Sequence, residues 1–171
     1  RLPGEDWPGF YTYATFNPSG VENRKLVDTS IAGDYSHAYL NDWDFVLLRY
    51  ADILLMYAEA QNEVSGPDAS VYDAINQVRA RPGVNMPPVD QSKYNTQDLV
   101  RQYIRHERAI EFPMEGLRFF DLKRWHIADV LLPTIVDASG SHLVFDQRQY
   151  LWPFPQSELD INKNLKQNPG Y

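Results

Sequence analysis

The sequence contains no cysteine and no hydrophobic run long enough to cross a lipid bilayer. The absence of cysteine excludes disulfide bonds, thiolate metal sites and a cysteine nucleophile. The most apolar stretch, residues 45–60, is interrupted by Arg49, Asp52 and Glu59, whereas a transmembrane helix needs ~18 uninterrupted apolar residues. Positive charge is also scarce, because 16 Lys and Arg stand against 23 Asp and Glu, giving a net charge of −7. Such an acidic chain is a poor candidate for binding nucleic acid or an anionic membrane surface.

Aromatic residues and prolines are frequent and unevenly distributed, with 13% Phe, Trp and Tyr and 12 prolines. Residues 1–43 mix large aromatic residues with Gly and Pro and lack sustained periodicity, which predicts long irregular loops that pack through their aromatic side chains. The high aromatic content argues against disorder. The sequence begins with neither an initiator Met nor a signal peptide, so we expect the chain to be a C-terminal fragment of a longer protein.

Residues 44–131 have helical periodicity and predict two helix hairpins in series, over residues 44–82 and 96–131. This order of elements resembles a tetratricopeptide-like array, although no clean repeat of ~34 residues is present. The first helix, from Phe45 to about Val64, is apolar on nearly all faces and is therefore expected to be largely enclosed.

Polar residues and prolines mark the predicted helix ends. Asp44, Asp68 and Thr96 stand at N-cap positions of three predicted helices. Pro113 disfavours the helical conformation of the residue before it, so the third helix is expected to end there. The fourth helix should extend to about Leu131.

Residues 132–171 show a different pattern from the helical middle of the chain. The partial alternation of residues 142–152 predicts a short β-hairpin or extended segment, and a one-turn helix is predicted near Gln156–Ile161. The predicted fold class is therefore mainly α, with tetratricopeptide-like helix hairpins, long irregular loops and a short β-hairpin near the C-terminus. The segments 1–43, 44–131 and 132–171 are expected to form one domain.

Charged residues recur at helical spacing among large apolar residues. One interpretation is a solvated face with weak pairs between successive turns. The other is a partly buried ionic network that fixes how helices dock, in which losing one partner costs ~3–5 kcal/mol. We favour the network because several of these charges lie close in sequence to Phe119, Phe120 and Trp125. Its predicted members are Arg49, Asp52, Glu59, Arg105, Glu107, Arg108, Glu111, Arg118, Asp121 and Arg124.

The sequence offers little support for catalysis, a metal site or a cofactor. Glu107 with Glu111, and Asp52 with Glu59, are possible carboxylate pairs for glycoside hydrolysis. Arginines at helical spacing are expected to hold both pairs ionised, whereas a general acid needs a raised pKa. The four histidines are isolated, and no glycine-rich phosphate loop follows a predicted strand.

Four motifs resemble, in this order, the C-terminal half of the SusD/RagB family. They are RYADILLMYAEAQNE at 49–63, AINQVRAR at 74–81, RHERAIEFPMEGLRFFDLKRW at 105–125 and YLWPFPQSELDINKNLKQNPGY at 150–171. The resemblance covers the chain from about residue 42 onward, with residues 132–148 unmatched. It implies tetratricopeptide-like helix pairs that carry long loops.

The resemblance also implies a function. Members of this family are outer-membrane lipoproteins of Bacteroidetes that bind glycans at the cell surface, without catalysis and with no cofactor. The expected partners are an oligosaccharide or polysaccharide and a SusC-like TonB-dependent transporter, for which the protein acts as a lid. Attachment to the membrane would come only from an N-terminal lipid anchor absent from this chain. Three alternatives stay open: a helical scaffold that contacts the transporter without binding sugar, a glycoside hydrolase, and a peptide or glycopeptide ligand.

A sugar ring has an apolar face and a rim of hydroxyl groups, so its site needs an exposed flat aromatic ring beside polar side chains. The N-terminal loops have this composition. The predicted ligand-binding residues are Trp7, Tyr11, Tyr13 and Trp43. The alternative is that these rings pack the loops onto the helices, since large aromatic side chains are mostly buried. Trp125 and Trp152 are expected in the core.

Overall fold

A computed structural model describes residues 46–136 and 140–171, and these two ranges are mainly α-helical, as predicted. The helices are α1 (Tyr50–Ser65), α2 (Ala69–Arg79), α3 (Gln97–Glu111), α4 (Leu117–Arg124), α5 (Ala128–Leu131) and α6 (Gln156–Ile161). None of the helices in these ranges is both long and apolar enough to span a bilayer. Residues 46–118 belong to one compact unit, and the described residues from 119 onward belong to a second. The predicted segment boundaries and single domain stay predictions.

Helix α1 begins at Tyr50, five residues later than predicted. Arg49 precedes it in an extended conformation, with φ −119° and ψ 152°, and its carbonyl accepts the first helical hydrogen bond from the Asp52 N–H at 2.9 Å. A short apolar run such as the one before Arg49 does not distinguish extended chain from helix, so periodicity alone placed the start too early. Asp44 and Phe45 lie outside the described residues.

The core of the first unit lies between α1, α2 and α3. Leu55 and Ala58 of α1 contribute to it together with Ile75 of α2 and Ile104 of α3, all fully buried. Helix α1 packs against both α2 and α3, so it is the central helix of this unit. Phe112, which follows α3 directly, is also buried in this core.

The opposite face of α1 is exposed, contrary to the expectation that this helix is enclosed. Tyr50 is 70% exposed and Val64 is 82% exposed, and Ile53 and Tyr57 between them are also exposed. These residues are spaced by three, four and seven positions and therefore share one face. Apolar residues on nearly every face of this helix predicted burial on all sides, but no described residue covers this face.

The predicted caps of α2 and α3 are confirmed. The Asp68 carboxylate accepts the backbone N–H of Val71 at 3.1 Å, and the Thr96 hydroxyl accepts that of Leu99 at 3.4 Å. Helix α3 ends at Glu111, just before the pair formed by Phe112 and Pro113, as the proline predicted.

Helix α4 ends at Arg124, well before the predicted end near Leu131. His126 has a φ of +52°, the Ile127 N–H donates to the Leu122 carbonyl at 3.1 Å, and the His126 N–H donates to Lys123 at 3.0 Å. This pair of bonds is the Schellman motif that closes a helix C-terminus. The motif usually carries Gly at the position of His126, so no sequence signal marked it.

The second unit has its own small core. Leu122, Ala128 and Phe145 are buried, and Trp125 and Tyr150 pack against them, which agrees with the expected core position of Trp125. The rings of Phe145 and Tyr150 meet edge to face with centroids 4.9 Å apart. This cluster anchors the segment between α5 and α6.

The C-terminal β-hairpin is not confirmed. Within the described residues the only pairing in this region is an isolated antiparallel bridge between Val136 and His142. Part of the expected hairpin forms a 3₁₀ helix, Gln147–Tyr150, because Asp146 and Gln149 form a capping box at its start. The one-turn helix predicted at Gln156–Ile161 is confirmed as α6.

Candidate functional site

A buried ion pair joins the two central helices of the first unit. The Arg108 Nη1 of α3 donates to the Asp52 Oδ1 of α1 at 2.7 Å, and the two residues are 4% and 7% exposed. The Arg108 guanidinium also lies 5.1 Å from the centroid of the Phe112 ring. Both charges are therefore removed from water, and each contributes to compensating the other.

Arg49 connects the start of α1 to the end of α3. Its Nε and Nη2 donate to the two carboxylate oxygens of Glu115 at 2.9 and 2.8 Å, and its Nη1 lies 2.9 Å from the Glu111 carboxylate. Its Nη2 also donates to the Glu111 carbonyl at 3.1 Å. Burial opposes the charge of Arg49, but the hydrogen bonds to Glu115 and Glu111 outweigh it and raise the pKa of Arg49. The bidentate geometry is the strongest form of arginine–carboxylate pairing.

Two arginines at the end of α2 bind carboxylates of α3. Arg79 pairs with Glu107, and its Nε also donates to the Pro87 carbonyl at 2.7 Å. Arg81 donates from Nη2 to the Glu111 Oε2 at 3.0 Å. Glu111 thus accepts from two arginines that come from different parts of the chain.

The structure places the remaining predicted network members as follows. Asp121 pairs with Arg124 at 2.9 Å within α4, where Asp121 is buried and Arg124 is partly exposed. Glu59, Arg105 and Arg118 are partly buried and also take part in interactions. Asp121 and Arg124 therefore pair along one helix, whereas Glu107 and Glu111 of α3 pair with arginines of other segments of the first unit.

Sequence reasoning missed three members of this network. Arg81 and Glu115 lie beyond the ends of α2 and α3, where helical spacing gives no signal. Arg79, at the end of α2, is likewise absent from the predicted network and pairs with Glu107 of α3. Within the described residues, no group of histidines and carboxylates is placed to hold a metal ion.

The arrangement leaves little room for acid–base chemistry. Guanidinium groups bind both oxygens of Glu111, and Arg79 binds one oxygen of Glu107, so arginines favour the ionised form of both carboxylates. Asp52 is likewise bound by Arg108. What this network does chemically is to hold α1, α3 and the segment after α3 in one relative position.

The four predicted ligand-binding residues, Trp7, Tyr11, Tyr13 and Trp43, lie outside the described residues. The structure instead exposes an aromatic residue that was expected in the core. Trp152 is 66% exposed, and the Lys123 ammonium lies 4.7 Å from the centroid of its ring. The expectation of a buried Trp152 is therefore wrong for this chain. The segment 152–155 contains two prolines and no periodicity that would have revealed which way the ring points.

Comparison with known proteins gives consistent results. Residues 11–171 match the model of the SusD family. The chain is similar to SusD-like protein P2 of Formosa agariphila, with 36% identity over 134 residues, covering 75% of this chain and 26% of the relative. It is also similar to SusD-like protein P38 of the same organism, with 34% identity over 136 residues, covering 77% of this chain and 25% of the relative.

Solved structures give the same picture. A SusD-like protein from Bacteroides fragilis superposes with a TM-score of 0.61 at 32% identity, covering 74% of this chain and 26% of that protein. A SusD-like carbohydrate-binding protein from the same species superposes with a TM-score of 0.58 at 36% identity, covering 70% of this chain and 28% of that protein. The chain spans about a quarter of the length of the curated relatives it matches.

Proposed function

Because the chain belongs to the SusD family, we propose that it is part of a cell-surface protein that binds a glycan without cleaving it. The observation that carries this proposal is the match of residues 11–171 to the family model, together with likeness to a protein described as carbohydrate-binding. The chain covers about a quarter of those proteins, so the ligand and the complete binding site are part of the proposal.

The ion pairs that join α1 and its N-terminal flank to α3 and the segment after it support a binding role. A site for a sugar gains affinity when its aromatic and polar groups are held in place before the ligand arrives, because less freedom is then lost on binding. The buried pair of Arg108 with Asp52 and the bidentate pair of Arg49 with Glu115 supply such rigidity. We propose that the helices form a fixed frame and that Trp7, Tyr11, Tyr13 and Trp43 contact the sugar.

The occupied carboxylates of this chain support the proposal that the protein is not a glycosidase. A glycosidase needs one carboxyl group that carries a proton and a second that acts as base or nucleophile. Glu107 and Glu111 are instead bound by arginines of α2 and of the segments that flank the helices.

The decisive experiment is calorimetry of the full-length protein with a panel of oligosaccharides, followed by assay of the recovered ligand for new reducing ends. We expect heat of binding with at least one oligosaccharide and no release of reducing ends. We expect Trp43→Ala to weaken that binding while the protein stays folded. Release of product that Glu111→Gln abolishes would contradict the proposal and establish a glycosidase.

We further propose that the full-length protein is lipid-anchored at the outer membrane and pairs with a SusC-like TonB-dependent transporter. A glycan-binding protein at the cell surface needs such a channel to deliver its ligand. The transporter should co-purify with the tagged full-length protein from membranes of the native organism. Protease added to intact cells should digest the protein if it faces outward.

A second candidate function is a helical scaffold that contacts the transporter without binding sugar. The exposed apolar face of α1, with Tyr50, Ile53, Tyr57 and Val64, favours this alternative, because contiguous exposed apolar side chains often mark protein contacts. A scaffold would co-purify with the transporter and give no calorimetric response to any oligosaccharide.

A further inference from the structure

An exposed indole and a lysine lie together on the second unit. Trp152 keeps 66% of its surface exposed although the Lys123 ammonium sits 4.7 Å from the centroid of its ring. The same ammonium lies 5.4 Å from the ring centroid of Phe119. Because lysine covers at most one face of the indole, an exposure this large leaves the other face open to solvent.

The backbone beneath this indole is fixed by side chains of the C-terminal tail. Asn168 donates from Nδ2 to the Trp152 carbonyl at 2.6 Å. Gln167 accepts the Phe154 N–H at 2.8 Å and donates to the Phe154 carbonyl at 3.0 Å, which satisfies both backbone groups of that residue. Pro153 and Pro155 further restrict the segment. An exposed ring on a fixed backbone loses little freedom when a ligand stacks on it.

Among the residues that the structure describes, no neighbouring acid neutralises the charge of Lys123. Within the described residues no carboxylate lies at ion-pair distance from its ammonium, whereas Arg124 beside it pairs with Asp121. The described residues from 119 onward carry five acidic and five basic side chains, so the acidic excess of the whole chain lies elsewhere. A partly buried ammonium over aromatic rings in a neutral region is favourably placed to attract an anion.

We propose that Trp152 and Lys123 form a subsite for an acidic sugar residue, one that carries a carboxylate or a sulfate. The sugar ring stacks on the open face of Trp152, and the Lys123 ammonium pairs with the anionic substituent. This inference rests on the proposed glycan-binding function and narrows its ligand class. It adds a contact region to the four aromatic residues predicted from the N-terminal loops.

The test uses calorimetry of the full-length protein with oligogalacturonate, with the methyl ester of the same oligosaccharide, and with a sulfated galactose oligosaccharide. The ester keeps the sugar rings and removes their charge, so it isolates the contribution of the anion. We expect the wild-type protein to prefer an acidic oligosaccharide over the ester, with an affinity that falls as salt is added. Preference for oligogalacturonate indicates a carboxylate, and preference for the sulfated ligand indicates a sulfate.

Two variants and a control assign the effect to this site. We expect Trp152→Ala to weaken binding of the acidic ligand by roughly tenfold, the loss expected for one stacked aromatic ring. We expect Lys123→Gln to weaken the affinity for the acidic ligand by about threefold or more and to abolish the preference for the acidic oligosaccharide over its methyl ester. Lys163→Gln, an exposed lysine on the same unit, should change neither quantity. Unchanged thermal unfolding establishes that each variant is folded.

The outcomes separate this inference from the proposed function. If the wild-type protein binds neutral oligosaccharides but neither acidic one, or if Trp152→Ala and Lys123→Gln bind like wild type, the subsite is wrong and glycan binding stands. If no oligosaccharide of any kind binds, both proposals are wrong. Failure of iodide to quench Trp152 fluorescence in the full-length protein, measured as the difference from Trp152→Phe, would also overturn the inference, because the ring would then be covered.

Discussion

The buried pair of Asp52 with Arg108 gives the sharpest prediction about the frame of the first unit. Replacing Asp52 by Ala removes the carboxylate that lies 2.7 Å from the Arg108 guanidinium and leaves that cation 4% exposed. Breaking a buried pair in this way costs about 3–5 kcal/mol, because the remaining charge stays desolvated after its carboxylate partner has gone. The free energy of unfolding of a typical domain is only about 5–15 kcal/mol, so we expect a large loss of stability.

A matched control is available in the same unit. Asp98 pairs with Arg101 along α3, but its side chain is 85% exposed. Asp98→Ala removes the same carboxyl group and should cost less than ~1 kcal/mol, since this carboxylate is exposed and Arg101 keeps its ion pair with Glu63. Urea unfolding followed by circular dichroism measures both losses as differences from wild type.

The double variant Asp52→Ala with Arg108→Met separates the destabilisation caused by an unpaired buried charge from the destabilisation caused by lost packing. Replacing a buried ion pair by apolar residues of similar volume is often neutral, so the double variant should recover most of the stability lost by Asp52→Ala alone. A loss below ~1 kcal/mol for Asp52→Ala, equal to that of Asp98→Ala, would refute the reasoning. It would mean that the helices are held by apolar packing and that the ion pair is incidental.

Three further predictions concern single residues. Burial raises the pKa of Tyr103 from 10.0 to about 12. The stability that this phenol contributes should therefore be complete below pH 10.0 and be lost as pH rises towards 12. In alkaline unfolding experiments, Tyr103→Phe should not show this loss of stability. The hydrogen bond from Arg101 lowers the pKa of Glu63. The Glu63 carboxylate should therefore contribute its full stabilisation above the usual glutamate pKa and lose it as pH falls through the lowered pKa. Glu63→Gln should abolish this pH dependence of the unfolding free energy. Gly66 has a φ of +78° and a ψ of −176°, a combination adopted essentially by glycine alone, and no atom lies within 4 Å of the place that a Cβ would take. Gly66→Ala should therefore cost ~1–3 kcal/mol in urea unfolding through backbone strain. No measurable loss would show that the turn relaxes.

The helices and most of their ends could be predicted from the sequence because their signals are local. Asp68 and Thr96 cap the helices that follow them, and α3 ends just before Pro113. The early start predicted for α1 and the late end predicted for α4 both arise because no residue-type signal marks these two helix boundaries. Arginine and histidine are not residue types that mark a helix boundary, so the boundaries at Arg49 and His126 are visible only in the backbone conformation.

The partners of the charged residues could not be predicted in the same way. Asp52 and Arg108 are separated by 56 residues in the sequence, and spacing identifies a charged face without telling which face it meets. Glu115 lies in the turn between two helices, where the fold and not the sequence pattern brings it to Arg49. The exposure of Trp152 also depends on tertiary contacts, since the tail residue Asn168 bonds the Trp152 carbonyl and Gln167 bonds the backbone of Phe154.

The central claim is that the protein binds a glycan and leaves it intact. Calorimetry of the full-length protein with a panel of neutral and acidic oligosaccharides, followed by analysis of the recovered ligand, tests it most directly. The account predicts saturable binding of at least one oligosaccharide, recovered at its original length after prolonged incubation. Shortened products, or the absence of a binding signal across the panel, would contradict it.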